Sequence, residues 1–144
     1  MKKLLLVSAA AATLITSSAM PQEKAHPTVK YRHHTMETIK DSLIQMKGIL
    51  NGKGQSADFG IHARVMAVNA EGFYAASRVK IAGGDTKPAA WENWDDFAAR
   101  MEAYIADTKA LAALPEDADQ KARAVAFGKA VKNCKACHDK YRAE

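Results

Sequence analysis

Apolar residues recur along this chain at alternating intervals of three and four, with polar residues between them. From Pro27 to Leu50 the segment PTVKYRHHTMETIKDSLIQMKGIL puts Val29, Arg32, Met36, Ile39, Leu43, Met46 and Leu50 on one stripe. That spacing predicts a helix with one buried face, and Asn51-Gly52 behind it is a stop signal. A second helix is predicted from about Ser56 to Lys80, carrying Ile61, Val65, Val68 and Gly72 and then Phe73, Ala76 and Val79. The run AGGDTKP ends it, because paired glycines and a proline interrupt helices. A third begins near Pro88 and carries Trp94, Phe97, Met101, Tyr104, Thr108 and Leu111, stopping before Pro115. The fourth runs from about Asp117 to the end, with Ala124, Phe127, Val131, Cys134, His138 and Tyr141 in step. No stretch sustains the two-residue alternation of a strand. The predicted fold is all-α: four amphipathic helices with brief connections, packed as an antiparallel up-down-up-down bundle.

Composition narrows this picture without altering it. A chain of 144 residues, 48% of them hydrophobic, suits one domain with a real core. The first nineteen residues, MKKLLLVSAAAATLITSSA, join two lysines to a short apolar run and then to small residues, the pattern of a cleaved secretory leader. The run is interrupted by Ser8, Thr13 and Thr16 and falls short of the roughly 20 apolar residues of a membrane span. The expectation is a mature domain over residues 20–144, without a membrane span, in the periplasm. Of the 21 Lys and Arg, two lie in the leader, and against 16 Asp and Glu the rest leave a formal charge of +3. That excess is mild and spread over helical faces, unlike the concentrated basic stripe of a nucleic-acid binder. Some of it gathers at Lys129, Lys132, Lys135, Lys140 and Arg142, which suits steering towards an acidic protein partner.

The strongest chemical signal is NCKACHDKYRAE at the end of the chain. Residues one turn apart share a helix face, so Cys134, Cys137 and His138 point together into one crevice. C-x-x-C-H in an exported chain is the attachment signature of haem c: two thiols bond the porphyrin and the imidazole reaches the iron. A thioredoxin-like pair belongs at a helix N-terminus, where a thiol pKa falls, and this pair is near a C-terminus. A structural zinc site takes four ligands, and the chain has no third cysteine. A simple disulfide leaves the histidine unexplained.

Only DKYRAE follows the motif, so a ligand to the other face of the iron is expected from upstream. In an antiparallel bundle the start of the first helix lies beside the end of the fourth. At about 1.5 Å per residue, Met36 is about 13 Å along its helix and His138 about 9 Å from the chain end. Met36 is therefore a candidate sixth ligand, although methionine at helical spacing is commonly core filler. Arg32, one turn earlier on the same stripe, calls for an anion such as a haem propionate, or else snorkels from the helix end. His33 beside the stripe is the alternative ligand. An enzyme is not expected: Asp95 and Asp96 diverge on a helix, and neither G-x-S-x-G nor a phosphate-binding glycine loop is present.

Tyr31-Arg32 with Met36 four residues on, GGDTKPAAW ending at Trp91, and CKACHDKYR together make the chain resemble the class II cytochromes c, the cytochrome c′ family, from about Val29 to Arg142. The resemblance implies a four-helix bundle with one covalent haem near the C-terminus, held by Cys134 and Cys137, with His138 as proximal ligand. It further implies that Arg142 is the basic residue of the proximal side, that Arg32 lies near the propionates, and that Trp91 belongs to the haem surroundings. Some members carry electrons with a methionine at the position of Met36, and others keep a five-coordinate iron that binds nitric oxide or carbon monoxide. Redox proteins, a diatomic gas ligand and a second copy, paired through the first two helices, are the partners it implies.

Overall fold

The structure, a computed structural model, describes residues 25–143. The leader read in residues 1–19 lies outside the described residues. Four long helices carry the fold: α1 (Pro27–Leu50), α2 (Phe59–Ser77), α4 (Trp94–Ala112) and α5 (Gln120–Tyr141), with a one-turn helix α3 (Ala89–Glu92) before α4. Local chemistry sets their ends. Pro27 opens α1 where a missing N–H is harmless, and His26 Nδ1 accepts from the Thr28 amide at 3.2 Å. Asn51 closes it, its side chain donating to Lys47 O. Asp119 caps α5 by accepting from the Ala122 amide at 2.7 Å.

The helices form the expected antiparallel four-helix bundle. The start of α5 meets the end of α1, where Gln120 donates to Leu50 O at 2.8 Å. Arg123 on the next turn donates to Ser56 O at 3.0 Å and stands over the Phe59 ring. Consecutive long helices pack closely, whereas α1 and α5 touch only sparsely. Met46, Met66, Phe97 and Leu111 fill the centre and are at most 2% exposed.

Three expectations need correction. The third helix does not run unbroken from Pro88: Asn93 leaves helical geometry at φ −117°, ψ 50°, and its side chain bonds back to Ala89 O. The apolar face of α2 is misassigned except at Phe73, which is buried as expected. Ile61 and Val68 are 50% and 67% exposed, and the buried side is Ala63, Met66, Ala67, Ala70, Phe73 and Ser77. Helix α2 is clasped by both α1 and α4, and alanines let their backbones approach where branched side chains would hold them apart. Ala124 likewise faces solvent, and Arg123 and Ala130 are the buried neighbours on α5.

The AGGDTKP loop closes one end of the bundle. Gly83 and Gly84 take φ +117° and +64°, a region that admits glycine readily. A Cβ on Gly84 would stand 3.0 Å from a Val29 methyl. Lys87 N donates to Tyr141 O at 2.9 Å and Ala143 N to Asp85 O at 2.8 Å. The loop is thereby tied to the end of α5.

Candidate functional site

A cavity of about 220 Å³ lies where α1 and α5 part. Cys134, Cys137 and His138 line it from α5, and Val29, Arg32, His33, Met36, Ile39 and Leu43 line it from α1. Phe97, Arg100, Met101 and Tyr104 close it from α4, and residues 83–86 cover one end. The four side chains read as thiol and metal ligands thus reach one space from two helices. Met36 is partly buried there, beside the core rather than in it.

The two thiols are free and partly buried. Burial raises the pKa of Cys134 and pushes that of Cys137 up to about 11. Both remain protonated at neutral pH, opposite to the activated thiol of a disulfide exchanger. His138 is exposed as a residue, yet its ring is sheltered enough at the cavity mouth for burial to lower its pKa, with Arg142 acting the same way and Asp139 opposing. A neutral imidazole is the form that binds metals.

Arg32 is 2% exposed. Its Nη2 donates to Ile81 O at 2.8 Å and to Gly83 O at 3.2 Å, holding the loop down, while its guanidinium stands 5.2 Å over the Trp91 ring. Nε and Nη1 have no partner among the described residues. Such donors are costly to bury and call for an acceptor. Trp91 does not line the cavity. It packs behind Arg32 and donates from Nε1 to Ser77 O at 2.9 Å, so its place is in the wall's second layer.

Sequence reasoning missed three residues of the site. Tyr104 is 6% exposed, its hydroxyl has no partner among the described residues, and burial holds its pKa above the ordinary phenol range. Asp96 on α4 accepts from Arg100 at 2.8 Å, from Lys140 at 3.0 Å and from the Tyr141 hydroxyl, and these contacts hold its carboxyl below the usual range, Arg100 first. Arg100 also donates to Ala136 O at 3.1 Å, inside the C-x-x-C-H turn. The turn bearing His138 is therefore pinned from α4. Only the positions of Phe97, Met101 and Tyr104 on one stripe hinted that α4 faces the site.

The lining fits haem c. Two unpaired thiols and an imidazole on one helix suit its attachment, the walls are largely apolar, and two donors of a buried arginine await the acidic groups such a cofactor carries.

Comparison with known proteins agrees. The family model described as Cytochrome C' matches residues 27–142. Cytochrome c' from Alcaligenes xylosoxydans xylosoxydans is 26% identical over 121 residues, covering 83% of this chain and 95% of the relative. Cytochrome c-556 from Agrobacterium tumefaciens (strain II Chrys) is 43% identical over 61 residues, covering 42% of this chain and 48% of the relative. Among solved structures, cytochrome c prime from Shewanella frigidimarina superposes with a TM-score of 0.70 at 28% identity, covering 81% of this chain and 94% of that one. The nitric oxide complex of a cytochrome c prime variant from Alcaligenes xylosoxidans gives a TM-score of 0.74 at 26% identity, with the same coverage.

Proposed function

This chain belongs to the cytochrome c′ family, and on that premise we propose that it is a periplasmic electron carrier. Haem c would be held through Cys134 and Cys137, with His138 as proximal ligand and Met36 on the opposite face. The observation that carries this reading is the convergence of Met36 from α1 and the C-x-x-C-H turn from α5 on one cavity. When bound, haem c supplies a one-electron Fe(III)/Fe(II) couple.

The chain's own residues support that use. A thioether ligand at Met36 favours the reduced state relative to a second imidazole, which His33 on the same wall would give. The free donors of Arg32, with Arg142 nearby on the lining, favour carboxylates at the loop end of the cavity. Exposed lysines on α5, Lys129, Lys132, Lys135 and Lys140 among them, suit an acidic docking partner. Pairing through α1 and α2 would cover the apolar Ile44, Ile61 and Val68, which are 50–67% exposed.

A second reading, a gas-binding protein with an open distal side, is favoured by the neighbours whose solved forms hold nitric oxide or carbon monoxide. The absorption spectrum of the reduced protein separates the two. A narrow low-spin α band with slow carbon monoxide uptake is expected, and Met36→Ala should convert it to a broad high-spin spectrum with ready uptake. A spectrum that stays low-spin in that variant removes methionine ligation in favour of His33, whereas a broad high-spin spectrum already in the unaltered protein supports the gas-binding reading.

A further inference from the structure

Four aromatic rings run in sequence from the cavity wall to the protein surface. Tyr141 and Phe97 line the cavity, each 2% exposed, with ring centroids 5.3 Å apart. Phe97 lies 5.6 Å from Trp94, and Trp94 stacks on Tyr74 at 6.1 Å with 14° between the planes. Trp94 and Tyr74 are both partly exposed. The two terminal rings share a second property. Tyr141 donates its phenolic hydrogen to Asp96, and Tyr74 donates to Glu102 at 3.0 Å.

A phenol loses an electron far more readily when its proton can leave at the same moment, and a carboxylate in hydrogen-bond contact receives it. Tyr104 also lines the cavity, but its hydroxyl has no acceptor among the described residues, so it lacks this route. Lys140 stands 5.3 Å over Tyr141 and Arg78 5.3 Å over Tyr74. A cation over each end makes both rings harder to oxidise and favours neither. Direction comes from exposure, since only the Tyr74 end meets dissolved reductants.

We propose that Tyr141, Trp94 and Tyr74, with the Phe97 ring as an unoxidised bridge between the first two, form a relay that passes single oxidising equivalents from the cavity to the surface when the protein meets hydrogen peroxide. The proposal rests on haem being held in the cavity, with Met36 yielding its place to peroxide. Ordinary electron carriage bypasses the relay, because aromatic side chains oxidise only under a strong oxidant. Peroxide takes up two electrons and two protons as its O–O bond breaks and leaves as two molecules of water. The relay supplies the electrons one at a time. Each passage leaves Tyr74 as a neutral phenoxyl radical, its proton moving to Glu102 and on to water. Ascorbate monoanion then restores the phenol by giving an electron and a proton, and becomes the ascorbyl radical anion. Two such passages complete the reduction of one peroxide.

The test uses haem-loaded protein, its loading verified by mass. Hydrogen peroxide is added with the spin trap 2-methyl-2-nitrosopropane, and adducts are located by tandem mass spectrometry. Adducts are expected on Tyr74 and not on Tyr31, which is 53% exposed but outside the series of rings. Trp94→Leu should lower Tyr74 labelling to the level of Tyr31 and quicken haem bleaching, its fold checked by circular dichroism. Tyr74→Phe, which keeps the ring, should shift labelling to Trp94. Equal labelling of Tyr31 and Tyr74, unchanged Tyr74 labelling in Trp94→Leu, or no consumption of peroxide overturns the relay. A mass equal to the bare polypeptide overturns the haem reading instead.

Discussion

Arg32→Met is the most informative single change, because it keeps the length and apolar stem of the side chain and deletes only the guanidinium. Two hydrogen bonds to Ile81 O and Gly83 O disappear, as does the stacking on Trp91. A hydrogen bond from a charged donor contributes about 1.5–3 kcal/mol and a cation over an aromatic ring about 0.5–2 kcal/mol. Methionine packing recovers about 1 kcal/mol of apolar contact, so haem-loaded protein should lose about 2.5–7 kcal/mol. Against a domain stability of about 5–15 kcal/mol, urea unfolding resolves such a loss. The two unpartnered donors decide whether the residue also serves the cofactor. If they meet its acidic groups, removing a cation from the cavity favours the oxidised state and the reduction potential falls. Arg32→Lys, which keeps the charge without the fork of donors, should retain most of the potential while losing loop stability. A loss below about 1 kcal/mol with an unchanged potential would refute the argument, for the guanidinium would then serve neither the loop nor the cofactor.

Other outcomes follow from contacts already described. Asp96 has a folded pKa held below the ordinary carboxylate value of about 3.9, so its contribution is complete above that pH and is lost as pH falls towards the folded value. Melting temperature against pH should therefore drop more steeply below pH ~4 in the wild type than in Asp96→Asn, and parallel curves would remove the Asp96 contacts from the account. Val68→Glu puts a charge on a side chain that is 67% exposed. It should leave the fold intact and shift sedimentation from dimer to monomer, and an unaltered dimer would move the pairing surface elsewhere. Electron transfer to an acidic partner should slow as salt rises through about 0.1 M, where the Debye length is about 10 Å. A rate indifferent to salt discards docking through the α5 lysines.

The chemistry of the site was legible wherever it is local. Cys134, Cys137 and His138 lie within five residues on one helix, and the 3.6-residue period alone brings them to a common face. Met36 needed one further step, the antiparallel return of α5 beside α1. Arg32 was singled out as a buried cation, but its loop partners Ile81 and Gly83 stand 49 and 51 residues away, and no spacing rule reaches that far. Asp96 shows the same limit. Beside Asp95 it reads as one of two diverging carboxylates; Arg100 lies one turn on along the same helix, but Lys140 and Tyr141 become visible as partners only once α4 is laid against the end of α5.

The misread face of α2 has a physical cause that bears on assembly. Ile61, Val65 and Val68 and the series Ala63, Met66, Ala70 and Phe73 both follow helical spacing, so periodicity alone offers two stripes. Weighting by hydrophobicity selects the branched residues, whereas packing selects the small ones, because a helix held between two neighbours gains more from close backbone approach. A helix that is apolar all round ordinarily has little surface left to water. Here the surplus side remains exposed at Ile61 and Val68, beside Ile44 and Tyr31 of the neighbouring helix that are exposed as well. Fully burying one exposed Val or Ile side chain contributes about 1.5–3 kcal/mol and association must offset about 4–15 kcal/mol of lost freedom, so the patch as a whole, and not one residue of it, would have to be covered. The stripe that failed as a guide to the core is thereby the reason to place the charge of Val68→Glu where it is, since a face with no partner to bury it would tolerate glutamate without consequence.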